Sequence, residues 1–374
     1  MSYLIRNFEP GMLDEVAELR RAVFGGTSAF NRAYLAWKYL ENPYFPEALL
    51  HVALRDGSLV GMRGWYGTRW RVPHNDSTEL IPCAAESAIL PDQRDQGLYE
   101  ELTGFALDDL ARRGFPLVIN MSATPANYVS SIMTMGWRRV GHYAPIVRNP
   151  LDSNDLDWAE ATSEPTPTTR SRDGIGRLKG ATRHFVDRLS PFLVTDPFRH
   201  LEESVRIASG DIRLGTQPDA GVMAEIAAAS DAGSRIRHVR DEEYIRWRYR
   251  DPRSSYCFLY SAANAQPAFC VASASHSGRI SFVDWAGSSP GVATLIKAAI
   301  AVPPTPAVRT WRIGMPQDLS RRLTDIGFDT DPTERRRGLL ARPTSDSDAE
   351  LSLGGVSLLD IDSWDLRMIF SDRH

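Results

Sequence analysis

Glu86-Ser87-Ala88-Ile89-Leu90-Pro91-Asp92-Gln93-Arg94-Asp95-Gln96-Gly97-Leu98-Tyr99-Glu100 passes from an apolar strand through a proline-started polar turn into an amphipathic helix. The first N–H groups of a helix lack partners within it, and its macrodipole places positive charge there, so the junction favours a phosphate or pyrophosphate. Gly97 removes the side chain that would block close approach, and Arg94 adds a fork of donors to the same anion.

Upstream, Leu49 to Leu54, a turn at Asp56-Gly57 and Leu59 to Val72 predict a hairpin, and Leu80 to Leu90 a third strand interrupted at Pro82. Downstream, Leu98, Leu102, Phe105, Ala106 and Leu110 recur with a helical period that Gly114 closes. Leu117 to Asn120 reads as a short strand, Asn127 to Met135 as a short helix and Trp137 to Val147 as a last strand. Before the hairpin, Tyr3 to Phe8 reads as a strand and Pro10 to Phe24 as a helix. Asn31 to Leu40 reads as a second helix, with Leu35, Tyr39 and Trp37 inward.

The chain echoes itself. Tyr34-Leu35-Ala36-Trp37-Lys38-Tyr39, followed by Asn42-Pro43, returns as Tyr244-Ile245-Arg246-Trp247-Arg248-Tyr249, followed by Asp251-Pro252. Met135-Gly136-Trp137 is echoed by Ile326-Gly327-Phe328. Two copies of one unit, the second trimmed, is the economical reading. The second copy repeats the order of elements through Ser204 to Ala208, Ala220 to Ala229, Asp241 to Arg250, Cys257 to Tyr260, Ala268 to Ala274, Ile280 to Trp285, Val292 to Ala301, Val308 to Ile313, Leu319 to Ile326 and Gly338 to Arg342. Core packing is the expected role of the repeated Trp and Tyr residues, ahead of stacking on an acceptor.

Among the 374 residues, 43 are Lys or Arg and 47 Asp or Glu, a formal net charge of −4 that argues against a nucleic-acid coat. Cys83, Cys257 and Cys270 are far apart and the histidines scattered, which supports neither a disulfide framework nor a metal site. Nowhere do 18 apolar residues run together, and the start lacks a secretion signal, so a cytoplasmic chain with no membrane contact is expected. Residues 151–170, with five acids, one base and eight Ser, Thr or Pro, read as a linker, and Arg177 to Leu193 as a basic connecting helix. Trp364 and Met368-Ile369-Phe370 read as a tail docked on a lobe.

The strand, Pro91-x-x-Arg94-x-x-Gly97 and helix, with Asn127 ahead of Gly136-Trp137, resemble the acetyl-CoA pyrophosphate loop and downstream motif of the GNAT superfamily of N-acetyltransferases. Tyr99 departs from it, standing where Gly or Ala is usual. The resemblance implies an α/β fold of two tandem GNAT-like domains, each a mixed, largely antiparallel central sheet flanked by helices. The expected segments are a cofactor-binding domain at 1–148, a linker and connecting helix at 149–203, a degenerate second domain at 204–343 and a tail at 344–374.

By the same resemblance, Arg94, Asp95, Gln96, Gly97, Leu98 and Tyr99 would cradle the pyrophosphate, and Ile89 and Leu90 would pair with the pantetheine, one of their amides polarising the thioester carbonyl. Asn127 would orient the thiol arm. Glu86 is the candidate base, with an ion-paired strand residue as the alternative. The family's acid, a Tyr, is replaced by Ile132, which leaves Tyr128, Ser130 and Ser131 as substitutes. The second copy has Gly287-Ser-Ser-Pro-Gly291 in place of the loop, and a second cofactor site is not expected there. The implied activity is acetyl-CoA-dependent transfer to a small-molecule primary amine, such as an amino sugar or a biosynthetic intermediate, with no metal. The alternatives are an aminoacyl transferase on a doubled GNAT fold or a non-enzymatic acyl-CoA-binding scaffold.

Overall fold

The computed structural model describes residues 3–74, 77–123, 125–149, 198–208, 212–230, 234–261, 266–274, 279–301, 307–331, 337–345 and 350–371. The expected linker at 151–170 and the helix at 177–193 lie outside them. The chain opens with β1 (Leu4–Asn7), a 3-10 turn at Pro10–Met12, α1 (Leu13–Phe24) and α2 (Ser28–Leu35), whose N-cap Thr27 accepts a hydrogen bond from the Phe30 amide. The helix runs on into a π-helical turn at Ala36–Leu40, and the wider turn lets three consecutive residues, Trp37, Lys38 and Tyr39, all be buried.

β2 (Leu50–Arg55) and β3 (Ser58–Arg71) form the hairpin, with Asp56 and Gly57 at φ 52° and 79° as a two-residue turn of primed type needs. β4 (Thr78–Ile89) is not interrupted at Pro82, which pairs opposite Gly67. Then come α3 (Leu98–Arg112), β5 (Leu117–Ala123) and α4 (Pro125–Thr134). The single strand expected at Trp137 to Val147 is two, β6 (Arg138–Tyr143) and β7 (Pro145–Arg148), and they belong to different sheets.

The second half holds α5 (Arg199–Ala208), β8 (Ile212–Gly215), α6 (Ala220–Ala229), β9 (Ile236–His238), α7 (Glu242–Arg248), β10 (Tyr256–Ser261), β11 (Ala268–Ala274) and β12 (Ile280–Gly287). It continues with α8 (Ser289–Ala299), β13 (Val308–Trp311), α9 (Gln317–Asp325), β14 (Asp329–Thr330) and β15 (Arg337–Pro343). Ser204 to Ala208, in the place of an opening strand, is instead the end of α5, which buries Leu201 and Val205, four residues apart. β8 takes the sheet edge in its stead.

Two seven-strand paths result, β1-β2-β3-β4-β5-β15-β6 and β8-β10-β11-β12-β13-β7-β14. In each, the fourth and fifth strands pair in parallel and their other neighbours antiparallel. The paths are related by the repeat except at one place, where the halves exchange strands. β15 inserts between β5 and β6, and β7 between β13 and β14. Leu339, Leu340 and Ala341 of β15 are all fully buried, an apolar run suited to a strand covered on both faces.

The echoed aromatic segments meet at the centre. Trp37 and Trp247 stack with centroids 5.1 Å apart at 13°, and each indole N–H donates to the other's backbone carbonyl, at 2.8 and 2.7 Å. These tryptophans pack a core, and the reciprocity marks a local two-fold relation between the copies. The tail docks beside them. Two short strands, β16 (Ser352–Leu353) and β17 (Val356–Ser357), precede β18 (Trp364–Asp365), which pairs with β9 beside β3, and Trp364 meets Trp70 edge to face. Arg248 holds the tail by donating to the carbonyls of Ile369 and Ser371. Among the described residues no helix is long and apolar enough to cross a membrane.

Candidate active site

β4 and β5 pair only at Cys83 and Ile119 and then diverge, which opens the sheet toward the C-terminal end of β4. A cleft of about 810 Å³ lies at that opening, bounded by the end of α1, the end of β4, the loop into α3 and α4. Of the expected residues, Ile89, Arg94, Asp95, Gly97, Leu98, Tyr99, Asn127 and Ser130 line it, joined by Ser131.

The loop is shaped by two left-handed residues, Asp95 at φ 58° and Gly97 at φ 78°, the latter at the N-cap of α3. Alternation of backbone hand turns successive amides toward a common point, the geometry that receives an anion. A Cβ built on Gly97 would meet nothing within 4 Å, so the loop's face stands open to a ligand. Arg94 is exposed there, its Nε donating to the Ile89 carbonyl. Glu100, in the first turn of α3, also lines the cleft and opposes an anion.

The rest of the loop is bracing. The Gln93 side-chain oxygen accepts from Arg55 at 2.7 Å and from the Tyr3 hydroxyl, and the Gln96 amide donates to the Asp92 carbonyl at 2.8 Å. Gln96 is thus turned to the brace and does not line the cleft. Leu90 is spent likewise, its amide donating to the Val60 carbonyl at 3.0 Å. By strand alternation the Ile89 amide points the other way, into the opening between β4 and β5.

Glu86 does not line the cleft. It sits where β4 bulges against β3 and is 7% exposed, its Oε1 3.4 Å from Arg20 Nε and its Oε2 accepting from the Tyr34 hydroxyl at 3.1 Å. Tyr34 in turn accepts from Lys38, and its ring lies 4.1 Å from the Arg20 guanidinium and 4.4 Å from that of Arg253, a residue of the second half. The second copy also holds an acid beside a strand bulge, but with partners from other positions of the repeat. Asp284, beside the bulge of β12, pairs with Arg240 at 2.8 Å and accepts from the Tyr249 hydroxyl at 2.9 Å.

Tyr128 also lies outside the cleft. Its ring packs on Gly338 of the exchanged strand β15, where a Cβ would come within 1.9 Å, and burial pushes its phenol up. In the second half the place of the cleft is filled. The α8 N-terminus lies on β11, so that a Cβ on Gly287 would come within 2.2 Å of the Pro267 carbonyl and one on Gly291 within 2.8 Å of Ala268. Among the described residues no three His, Cys, Asp or Glu side chains gather as metal ligands.

Two polar residues of the site escape a reading of the sequence. Ser87 lines the cleft, and its Oγ accepts from Arg63 at 3.0 Å. The same Arg63 nitrogen donates to the Ala85 carbonyl at 3.1 Å. Only the strand register across the bulge shows that these side chains meet. Val23 and Phe24, at the end of α1, form the far rim.

Residues 4–138 match the acetyltransferase (GNAT) domain family. No curated protein sequence matches the chain. Among solved structures, the GCN5-related N-acetyltransferase from Kribbella flavida aligns over 92% of this chain and 72% of its own, at 13% identity and a TM-score of 0.55. That from Anabaena variabilis aligns over 92% and 73%, at 12% identity and 0.52. A protein of unknown function from Enterococcus faecalis, a probable N-acyltransferase, aligns over 92% and 73%, at 11% identity and 0.55. These likenesses concern the fold, and both halves share in it. The N-terminal 4–138 segment thus matches the GNAT domain family, and the doubled sheet that contains it shares its fold with these solved structures.

Proposed function

We propose that the chain is an acetyl-CoA-dependent N-acetyltransferase acting on a small-molecule primary amine, with its site in the N-terminal half. The observation that carries this is the open loop from Arg94 to Tyr99, two left-handed residues and a free helix N-terminus at the mouth of a cleft between diverging strands. Arg94 and the loop amides would hold the pyrophosphate, and the outward Ile89 amide would receive the thioester oxygen. Ser130, Ser131 and Asn127 would cover the thiol arm from α4. The Arg20 pairing leaves Glu86 a positioning role at the bulge, with water taking the amine's proton.

Calorimetry with acetyl-CoA tests the reading, followed by thiol release on a panel of primary amines. Binding to the wild type that is lost in Gly97→Trp, together with thiol release on at least one amine, is the expected result. Absence of binding to the wild type removes the reading, and binding without release on any amine turns it toward the scaffold.

A further inference from the structure

Arg63 is a buried cation without a counter-charge. It is 4% exposed, no carboxylate pairs with it among the described residues, and its Nε has no hydrogen-bond partner. Two rings flank it, Trp65 at 4.5 Å and Tyr99, which lines the cleft, at 5.9 Å. A guanidinium in such a place is costly unless something supplies negative charge nearby. Among the described residues its one side-chain hydrogen-bond partner is Ser87.

Ser87 is half-buried and faces the cleft. A hydroxyl has one hydrogen to give and two lone pairs to receive with. Here the oxygen already accepts from Arg63, and among the described residues its hydrogen finds no acceptor. The free O–H, polarised by the cation behind it, is left to donate into the cleft. Ser87 stands two residues deeper on β4 than Ile89, about 7 Å further from the loop that would anchor a pyrophosphate. The reacting end of an elongated ligand held at that loop would come there.

We propose that Ser87, with Arg63 as its positioning residue, stabilises the departing thiolate, a role left open by Ile132 and by the burial of Tyr128 against β15, outside the cleft. This rests on the acetyl-CoA reading above. The amine lone pair forms the new C–N bond at the thioester carbonyl carbon, the C–S bond breaks, and its electron pair passes to sulfur. The nitrogen gives up one proton to water. The thiolate accepts the Ser87 hydrogen bond in the field of Arg63 and takes a proton from solvent on release.

The test is an ultraviolet titration of the thiol of CoA bound to the wild type and to Ser87→Ala, Arg63→Met and Arg63→Lys. Bound to the wild type, the thiol ionises at lower pH than free CoA. Ser87→Ala and Arg63→Met move it back toward the free value, and Arg63→Lys keeps part of the shift. Turnover at saturating acetyl-CoA falls on the order of ten- to a hundred-fold in Ser87→Ala, with the KM for acetyl-CoA little changed. A thiol that titrates alike in wild type and Ser87→Ala overturns the assignment while leaving the acetyl-CoA reading intact. CoA that does not bind the wild type overturns both. Ser87→Ala removes a single hydroxyl at a half-buried site, so it keeps the test decisive where Arg63→Met fails to fold.

Discussion

Glu86→Gln separates a structural carboxylate from a catalytic one. The side chains of Glu86 and Arg20 are 5% and 9% exposed, and each has a second partner, Tyr34 for the acid and Asn31 for the base. Breaking a buried pair by removing one charge costs about 3–5 kcal/mol, because the other charge stays buried alone. Glutamine keeps the volume and an accepting oxygen, and Arg20 keeps Asn31, so the expected loss is about 2–3 kcal/mol. Adding Arg20→Met should recover most of it, since replacing both members of such a pair is often neutral or better. Urea unfolding followed by far-ultraviolet circular dichroism measures the three variants, and turnover is compared at a temperature where all are folded. A loss under about 0.5 kcal/mol in Glu86→Gln would refute the argument. So would full stability combined with lost turnover and a lost ascending limb in the pH profile, which is the behaviour of a base.

Three further outcomes follow from the same geometry. Trp37 and Trp247 donate to each other's backbone rather than to each other's side chain, so Trp→Phe at either should cost about 1 kcal/mol and the two should add. The paired Ala variants should show a coupling of about 1 kcal/mol from the stack alone, read in a urea double-mutant cycle. Glu100→Gln, which removes the carboxylate facing the loop, should tighten CoA binding by roughly two- to five-fold at low salt, and calorimetry at high salt should erase the gain. Asp109 accepts from His51 at 3.0 Å, a bond that holds its carboxyl down at about 2, while burial pushes His51 below its ordinary value. A lowered acid stabilises the fold above its unfolded pKa and loses that contribution as pH falls through the folded one. A lowered histidine penalises folding once pH drops below its unfolded value. Melting temperature should therefore fall from about pH 6.5 downward and steeply between about pH 4 and 2, and Asp109→Asn should flatten the lower limb.

What the sequence reveals here is local. The hairpin turn, the α3 period with its closing Gly114, and the loop at Arg94 to Gly97 each depend on neighbours within a few residues, and all stand in the structure as read. The Trp37 and Trp247 echo is visible as a repeat, but that the two copies face each other is a tertiary fact. Strand exchange leaves no trace in an apolar run, since Leu339-Leu340-Ala341 would suit the interior of either sheet. Glu86 shares its face of β4 with Ala88, which packs toward α1 and Arg20, while Ser87 and Ile89 on the other face line the cleft. Which of the two faces opens to a ligand is a tertiary fact, and the ion-paired alternative for Glu86 is the one the structure shows. Ser87 and Arg63 lie 24 positions apart in the chain, and only the β3–β4 register joins them.

The exchange of β7 and β15 bears on how the molecule is made. During synthesis, β5 and β6 are complete by residue 143, yet the strand between them does not exist until residues 337–343 have been added. Until then two edges stand open in the nascent first sheet, and β7 trails beyond it with its second-sheet neighbours unmade. Closing those contacts requires a long loop, which slows folding and prolongs exposure of unpaired edges. Expression of a fragment ending near residue 148 should therefore yield aggregate, and supplying the remainder as a separate chain should rescue it, because the missing strand arrives in trans.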